Sequence, residues 1–115
     1  MERELSGLSI IGHGRGAAND RTFQAVDPRT GTETGPRFYS AAAYELYRGV
    51  ALASAARPPF SKLEPPLRAQ FLRRIAGNIE ELGETLVARA SLETALHAAR
   101  IESERTRTCF QLRLF

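Results

Sequence analysis

Thr22-Phe23-Gln24-Ala25-Val26-Asp27-Pro28-Arg29-Thr30-Gly31-Thr32-Glu33-Thr34 is the stretch that decides the fold class. Its first five residues alternate as a half-buried strand does. The next five carry turn chemistry. Asp27 caps backbone N–H groups with its carboxylate, Pro28 presets φ for the second turn position, and Gly31 takes the left-handed conformation that closes a bulged hairpin. Thr32-Glu33-Thr34 is then the return strand, ending before Gly35-Pro36.

Working back toward the start, Leu8-Ser9-Ile10-Ile11 reads as a short strand bounded by Gly7 and Gly12. Gly12-His13-Gly14-Arg15-Gly16 and the following Ala17-Ala18-Asn19-Asp20 read as a loop, a flexible connector between strands. The three glycines resemble a phosphate-binding loop only superficially. The third glycine is not at dinucleotide spacing, no helix pattern follows, and no Gly-Lys-Ser/Thr is present. Residues 8–38 are thus strand and turn.

Beyond Pro36-Arg37-Phe38 the pattern becomes helical and stays so over 40–115. Ser40 is the expected N-cap of a helix running to about Arg57 and stopped by Pro58-Pro59. Its small-residue stripe, Ala43, Tyr47, Val50 and Ser54, suits packing against another backbone. Glu64-Pro65-Pro66 opens a second helix, with proline in the first turn where free N–H groups are not needed. Leu67, Phe71, Ile75, Ile79, Leu82 and Leu86 recur at three and four and form an amphipathic stripe, which Gly83 can divide. A last helix runs from His97 to the end, with Ile101, Thr108, Leu112 and Phe115 on one side. The expectation is an α+β chain: an N-terminal β-hairpin followed by three or four α-helices, with no internal repeat and no linker across 1–115.

Composition bounds the function. The chain has 115 residues, 43% hydrophobic and 25% charged, which excludes a disordered or collagen-like polymer. No run approaches the ~18 apolar residues of a membrane span. The opening Met1-Glu2-Arg3-Glu4-Leu5 lacks the basic-then-apolar layout of a secretory signal, so the expected address is cytoplasmic. Sixteen basic residues against 13 acidic ones give +3, and every basic residue except Lys62 is arginine. Glu80, Glu81, Glu84, Glu93, Glu102 and Glu104 alternate with the arginines of the second half. That pattern describes solvated helix faces with i,i+4 pairs, not a nucleic-acid surface.

Few side chains can carry chemistry. His13 and His97 are far apart and read as surface or helix-terminal residues. Cys109 has Arg105 and Arg113 one turn away, yet its helical position reads as a small buried hydrophobe. It also stands alone, which excludes a disulfide framework or a Cys-x-x-Cys zinc site. Glu80 and Glu81 are adjacent, so their carboxylates diverge on a helix and cannot flank one bond. The sequence therefore offers no catalytic, cofactor-binding or metal-binding residue.

The order of motifs nevertheless resembles the start of an aldehyde dehydrogenase. The resemblance rests on Phe23-Gln24-Ala25-Val26-Asp27-Pro28-Arg29-Thr30-Gly31, on Pro36-Arg37-Phe38, and on the alanine-rich helix. It continues in Arg68-Ala69-Gln70-Phe71-Leu72-Arg73-Arg74-Ile75-Ala76-Gly77-Asn78-Ile79-Glu80. Glu93-Thr94-Ala95-Leu96-His97 stands where the family carries Glu-Thr-Gly-Leu-Pro or Glu-Thr-Gly-Lys-Pro. Glu104-Arg105-Thr106-Arg107-Thr108-Cys109-Phe110-Gln111-Leu112-Arg113-Leu114-Phe115 is similar to the subgroup that oxidises 2-oxoglutarate semialdehyde (2,5-dioxopentanoate).

The resemblance implies an incomplete part of the family's α/β cofactor-binding domain. It implies a parent enzyme that uses NADP or NAD, acts on a small aldehyde and assembles as a homo-oligomer. The family's nucleophilic cysteine, general-base glutamate, oxyanion-hole asparagine and glycine-rich cofactor loop come later and have no counterpart here. Cys109 lies outside the family's Gly-Gln-x-Cys setting. The chain alone is thus expected to be inactive and to bind no cofactor. Two departures stand out. Ala95 and His97 replace the glycine and proline that stop one helix before the next, leaving open whether the helices fuse or bend differently. The end, Leu112-Arg113-Leu114-Phe115, is apolar and uncapped, as expected of a truncated reading frame, a cut chain or a partial sequence. The alternative reading is a stand-alone helical module that self-associates through the Leu67 to Leu86 stripe or covers a partner's groove.

Overall fold

The computed structural model describes residues 5–115, so the leader reading of residues 1–4 lies outside the described residues. The element order is β1 (Ile10–Ile11), β2 (Gly14–Arg15), β3 (Thr22–Asp27), β4 (Thr32–Tyr39), α1 (Ala43–Ser61), α2 (Pro65–Glu81), α3 (Gly83–Thr94) and α4 (Ala98–Leu114). Strands come first and helices after, as an α+β chain requires. Two compact units result: Val26 and the residues before it with Glu33–Lys62, and Asp27–Thr32 with Leu63–Phe115.

In the first unit, β1 and β2 pair antiparallel, Ile10 with Arg15 and Ile11 with Gly14. The expected flexible connector is therefore an ordered two-residue hairpin. Gly12 has φ +60°, the positive value that the first central position of a II′ turn requires. Because the return strand is Gly14-Arg15, it shows no apolar alternation, and so the sequence hides it.

The second pair, β3 with β4, is the expected hairpin. Its return strand continues to Tyr39, through a cis Gly35–Pro36 peptide, instead of stopping at Thr34. In a two-stranded sheet each strand is an edge, so a proline without an N–H is tolerated. Phe23 and Phe38 stack with ring centroids 5.6 Å apart, an arrangement worth about 0.5–1.5 kcal/mol beyond area burial.

The helix that follows starts later than expected. Ser40 donates its N–H to the Arg21 carbonyl (2.8 Å) and accepts from the Asn19 amide (2.8 Å). Its backbone thus extends the strand pairing, and Ala42 is the N-cap. The helix also ends later, at Ser61 and not Arg57. Pro58 and Pro59 sit in its last turns, where their fixed φ is already helical. There Ser61 Oγ donates to the Pro58 carbonyl at 2.9 Å. The stripe expected to pack, Ala43, Tyr47, Val50 and Ser54, is exposed. The face of α1 that packs carries Glu45, Arg48 and Leu52, which lie beneath the β1–β2 turn.

The second unit is built by helix packing. Glu64 caps α2, with Pro65 and Pro66 in the first turn, and Gly83, with φ +51°, separates α2 from α3. Helix α4 lies against α2 and α3. Ala76, Val87 and Cys109, one from each helix, are 0–1% exposed and form the centre. Leu72, Ile75, Ile79 and Leu86 surround them, but Leu67 and Phe71 are half exposed. Helix α2 is apolar on two sides, and the expected stripe mixed them. On α4 the inward residues are Ile101, Arg105, Cys109 and Leu112, whereas Thr108 and Phe115 face solvent. No helix among the described residues is long and apolar enough to cross a membrane.

Candidate functional site

Each place where chemistry was conceivable now has a geometry. The glycine-rich turn lies on α1. A Cβ on Gly12 would stand 2.9 Å from Leu52 Cδ1, one on Gly14 3.9 Å from the Arg48 guanidinium, and one on Gly16 2.3 Å from Glu45 Oε1. Glu45 is buried. Its Oε1 accepts the Ala17 N–H and its Oε2 the Ala42 N–H, both at 2.7 Å. These two donors hold its carboxyl below the usual carboxylate range, against the opposing cost of burial. The glycines therefore leave room for a helix and a carboxylate. The Glu45 carboxylate lies against this turn, and the next element after Gly16 is the strand β3.

The hairpin tip is closed as its chemistry requires. Asp27 Oδ1 accepts the Arg29 N–H (2.9 Å), and its carbonyl accepts the Gly31 N–H (2.8 Å). Arg29 then donates its guanidinium to the Ser91 carbonyl in the last turn of α3, where a cation complements the helix dipole. Sequence reasoning missed Arg29, since its partner lies 62 residues away.

The junction of α3 and α4 keeps its break without glycine or proline. Ala95 adopts φ 61°, ψ 10° and donates to the Ser91 carbonyl at 2.9 Å. His97 is the extended, exposed N-cap of α4. The helices do not fuse.

Cys109, the one cysteine of the chain, is 1% exposed, and its Sγ lies 3.6 Å from the Ala76 carbonyl. The buried-hydrophobe reading holds. Glu80 and Glu81 separate as expected. Glu80 accepts two bonds from Arg113, each 2.7 Å, which lower its pKa and raise that of Arg113. Glu81 is exposed. His13 is exposed at the β1–β2 turn. Among the described residues no three His, Cys, Asp or Glu side chains could hold a metal ion.

Comparison with known proteins places the chain. Over 113 residues, 97% of its length, it is 39% identical to alpha-ketoglutaric semialdehyde dehydrogenase 2 of Azospirillum brasilense. Over 112 residues it is 34% identical to alpha-ketoglutaric semialdehyde dehydrogenase of Acinetobacter baylyi. By sequence the chain matches a segment of these alpha-ketoglutaric semialdehyde dehydrogenases. The chain spans 22% and 21% of the length of these two relatives. No family model matches it. The match agrees with the motif order from Phe23 to Phe115, and the strands and helices above are what that stretch of an aldehyde dehydrogenase becomes in this sequence.

Proposed function

We propose that this chain is a non-catalytic opening segment, 1–115, of a single aldehyde dehydrogenase domain. The whole enzyme oxidises an aldehyde of the 2-oxoglutarate semialdehyde type to the acid with NADP or NAD. In this reading the cofactor, the substrate and the homo-oligomeric, cytoplasmic state belong to the whole enzyme, and the chain alone binds no cofactor and turns nothing over. The observation that carries it is Cys109. An aldehyde dehydrogenase of this family works through a thiol that attacks the aldehyde carbon, and the chain's one thiol is enclosed between Ala76 and its neighbours on α2 and α4. A buried thiol is an inert packing residue.

The test is turnover. The purified chain, given 2-oxoglutarate semialdehyde with NAD⁺ or NADP⁺, is expected to form no NAD(P)H above the protein-free rate at 340 nm. Formation of NAD(P)H that scales with chain concentration overturns the reading.

A second reading has one observation in its favour. Tyr44, Leu46, Tyr47 and Val50 on α1 are each 60% exposed or more, and exposed apolar patches mark interaction sites. A self-associating helical module would expose such a face to its own copies. A defined dimer or tetramer by light scattering supports that module, whereas a monomer or open-ended aggregate speaks against it.

A further inference from the structure

The geometry points to Glu45 as an acid-sensitive strap that ties the Gly12–Ala17 turn to the first turn of α1, with Gly16 as the gap through which it passes. Three observations, all within the first unit, meet at this residue. Its two oxygens are divided between two backbone donors from different segments, Ala17 N–H on one side and Ala42 N–H on the other. Ala42 is the N-cap of α1 yet has no side-chain acceptor, so Glu45 reaching back is what satisfies that end of the helix. A Cβ at position 16 would lie 2.3 Å from Oε1, so a side chain there moves the carboxylate off its two donors. The Gly16 N–H is itself fixed to the Ser9 carbonyl at 2.8 Å, so the turn cannot back away without losing that bond.

A carboxylate accepts at both oxygens, whereas a carboxylic acid gives one of them a proton and must present a donor to a donor. Protonation therefore breaks one arm of the strap. The charged and titratable groups near it are Arg48 one turn along α1, His13 and Arg15 on the β1–β2 turn, and Asp20 and Arg21 beyond Ala17. Among the described residues none forms an ion pair with Glu45, and the two backbone donors carry the interaction. Since those donors lower the folded-state pKa, the strap's contribution is complete above the ordinary carboxylate pKa of 4.5. It is lost as pH falls through the lowered value. The turn is locked throughout the neutral range and opens only in acid.

Backbone amide exchange in the full 115-residue chain tests this, read at Ala17 and Ala42 with the amides of Val87 and Cys109 as internal reference. Both strap amides are expected to be protected at pH 7. Glu45→Ala should raise exchange at both by about tenfold or more. Glu45→Gln, which keeps one carbonyl oxygen, should do so at one of them. Gly16→Ala should match Glu45→Ala, and Gly14→Ala should change neither. In the unmodified chain the two amide shifts should titrate together with a midpoint below 4.5. Unprotected amides at pH 7, unchanged exchange in Glu45→Ala, or separate midpoints at 4.5 or above would each overturn the strap. The titration needs no variant, so a substitution that fails to fold does not leave the question open.

Discussion

The two units of this chain are closed by different physics. In the helical unit, Ala76, Val87 and Cys109 leave almost no surface to water, the ion pairs Arg100–Glu104 and Arg113–Glu80 run along the outside, and Arg89–Glu93 is half-buried. In the strand-bearing unit only Ile11 is a buried apolar residue among those described. Backbone bonds, a stacked aromatic pair and one buried carboxylate hold it instead, while Tyr44, Leu46, Tyr47 and Val50 of α1 face out. A family segment can thus be self-sufficient where small and apolar residues interlock. It depends on polar ties where its apolar residues point away from its own chain.

That contrast can be broken or sharpened by substitution, beginning with the largest effect. Ala76→Leu inserts three carbons into a position with no exposed surface, directly beside Cys109. It should destabilise the α2–α4 unit by about 1–3 kcal/mol in urea unfolding followed by circular dichroism. A neutral result would mean that the helical unit has no tight centre. Ala95→Gly should act in the opposite direction. An L-residue at φ 61° carries a steric cost that glycine escapes, offset in part by glycine's freer unfolded state. The expected gain is about 0.5–1 kcal/mol, measured in the same way.

Glu80→Gln removes an exposed bidentate pair and should lower the melting temperature only slightly, with the difference vanishing in high salt. In the unsubstituted chain, the hydrogen bonds from Arg113 lower the Glu80 pKa. The pair's small contribution is therefore full above 4.5 and fades as pH falls through the lowered value. Val50→Asp comes last. On an exposed position of α1 it should leave stability within about 0.5 kcal/mol while reducing aggregation in light scattering. A large loss of stability would show that α1 is covered within the chain after all.

Local chemistry was legible in the sequence. Asp27-Pro28-Arg29-Thr30-Gly31 closes a hairpin because every bond it needs lies within five residues, and Gly83 divides two helices by its own backbone freedom. Cys109 could be placed as a buried residue from helical spacing. What depended on partners distant in sequence was not legible. The Leu67–Leu86 stripe joined residues of α2 and α3 and included the half-exposed Leu67 and Phe71, because apolar spacing alone does not say which residues meet α4. The Gly12–Gly16 turn read as slack chain, since glycines advertise freedom and not the helix that needs them to be small. Glu45 was passed over for a related reason. One carboxylate on a helix reads as solvated until the loop that wraps it is known. Ser40 lost its capping role to strand pairing with Arg21, and Pro58-Pro59 stopped the helix only after its last turn.

The non-catalytic reading of this chain leans most on the enclosure of Cys109. That enclosure can be measured directly by reacting the native chain with an aromatic disulfide reagent and counting thiols released. The account predicts no reaction under native conditions at neutral pH and one thiol per chain after denaturation. Rapid labelling of the native chain, at the rate of the denatured one, would contradict both the closed helical unit and the reading of Cys109 as an inert packing residue.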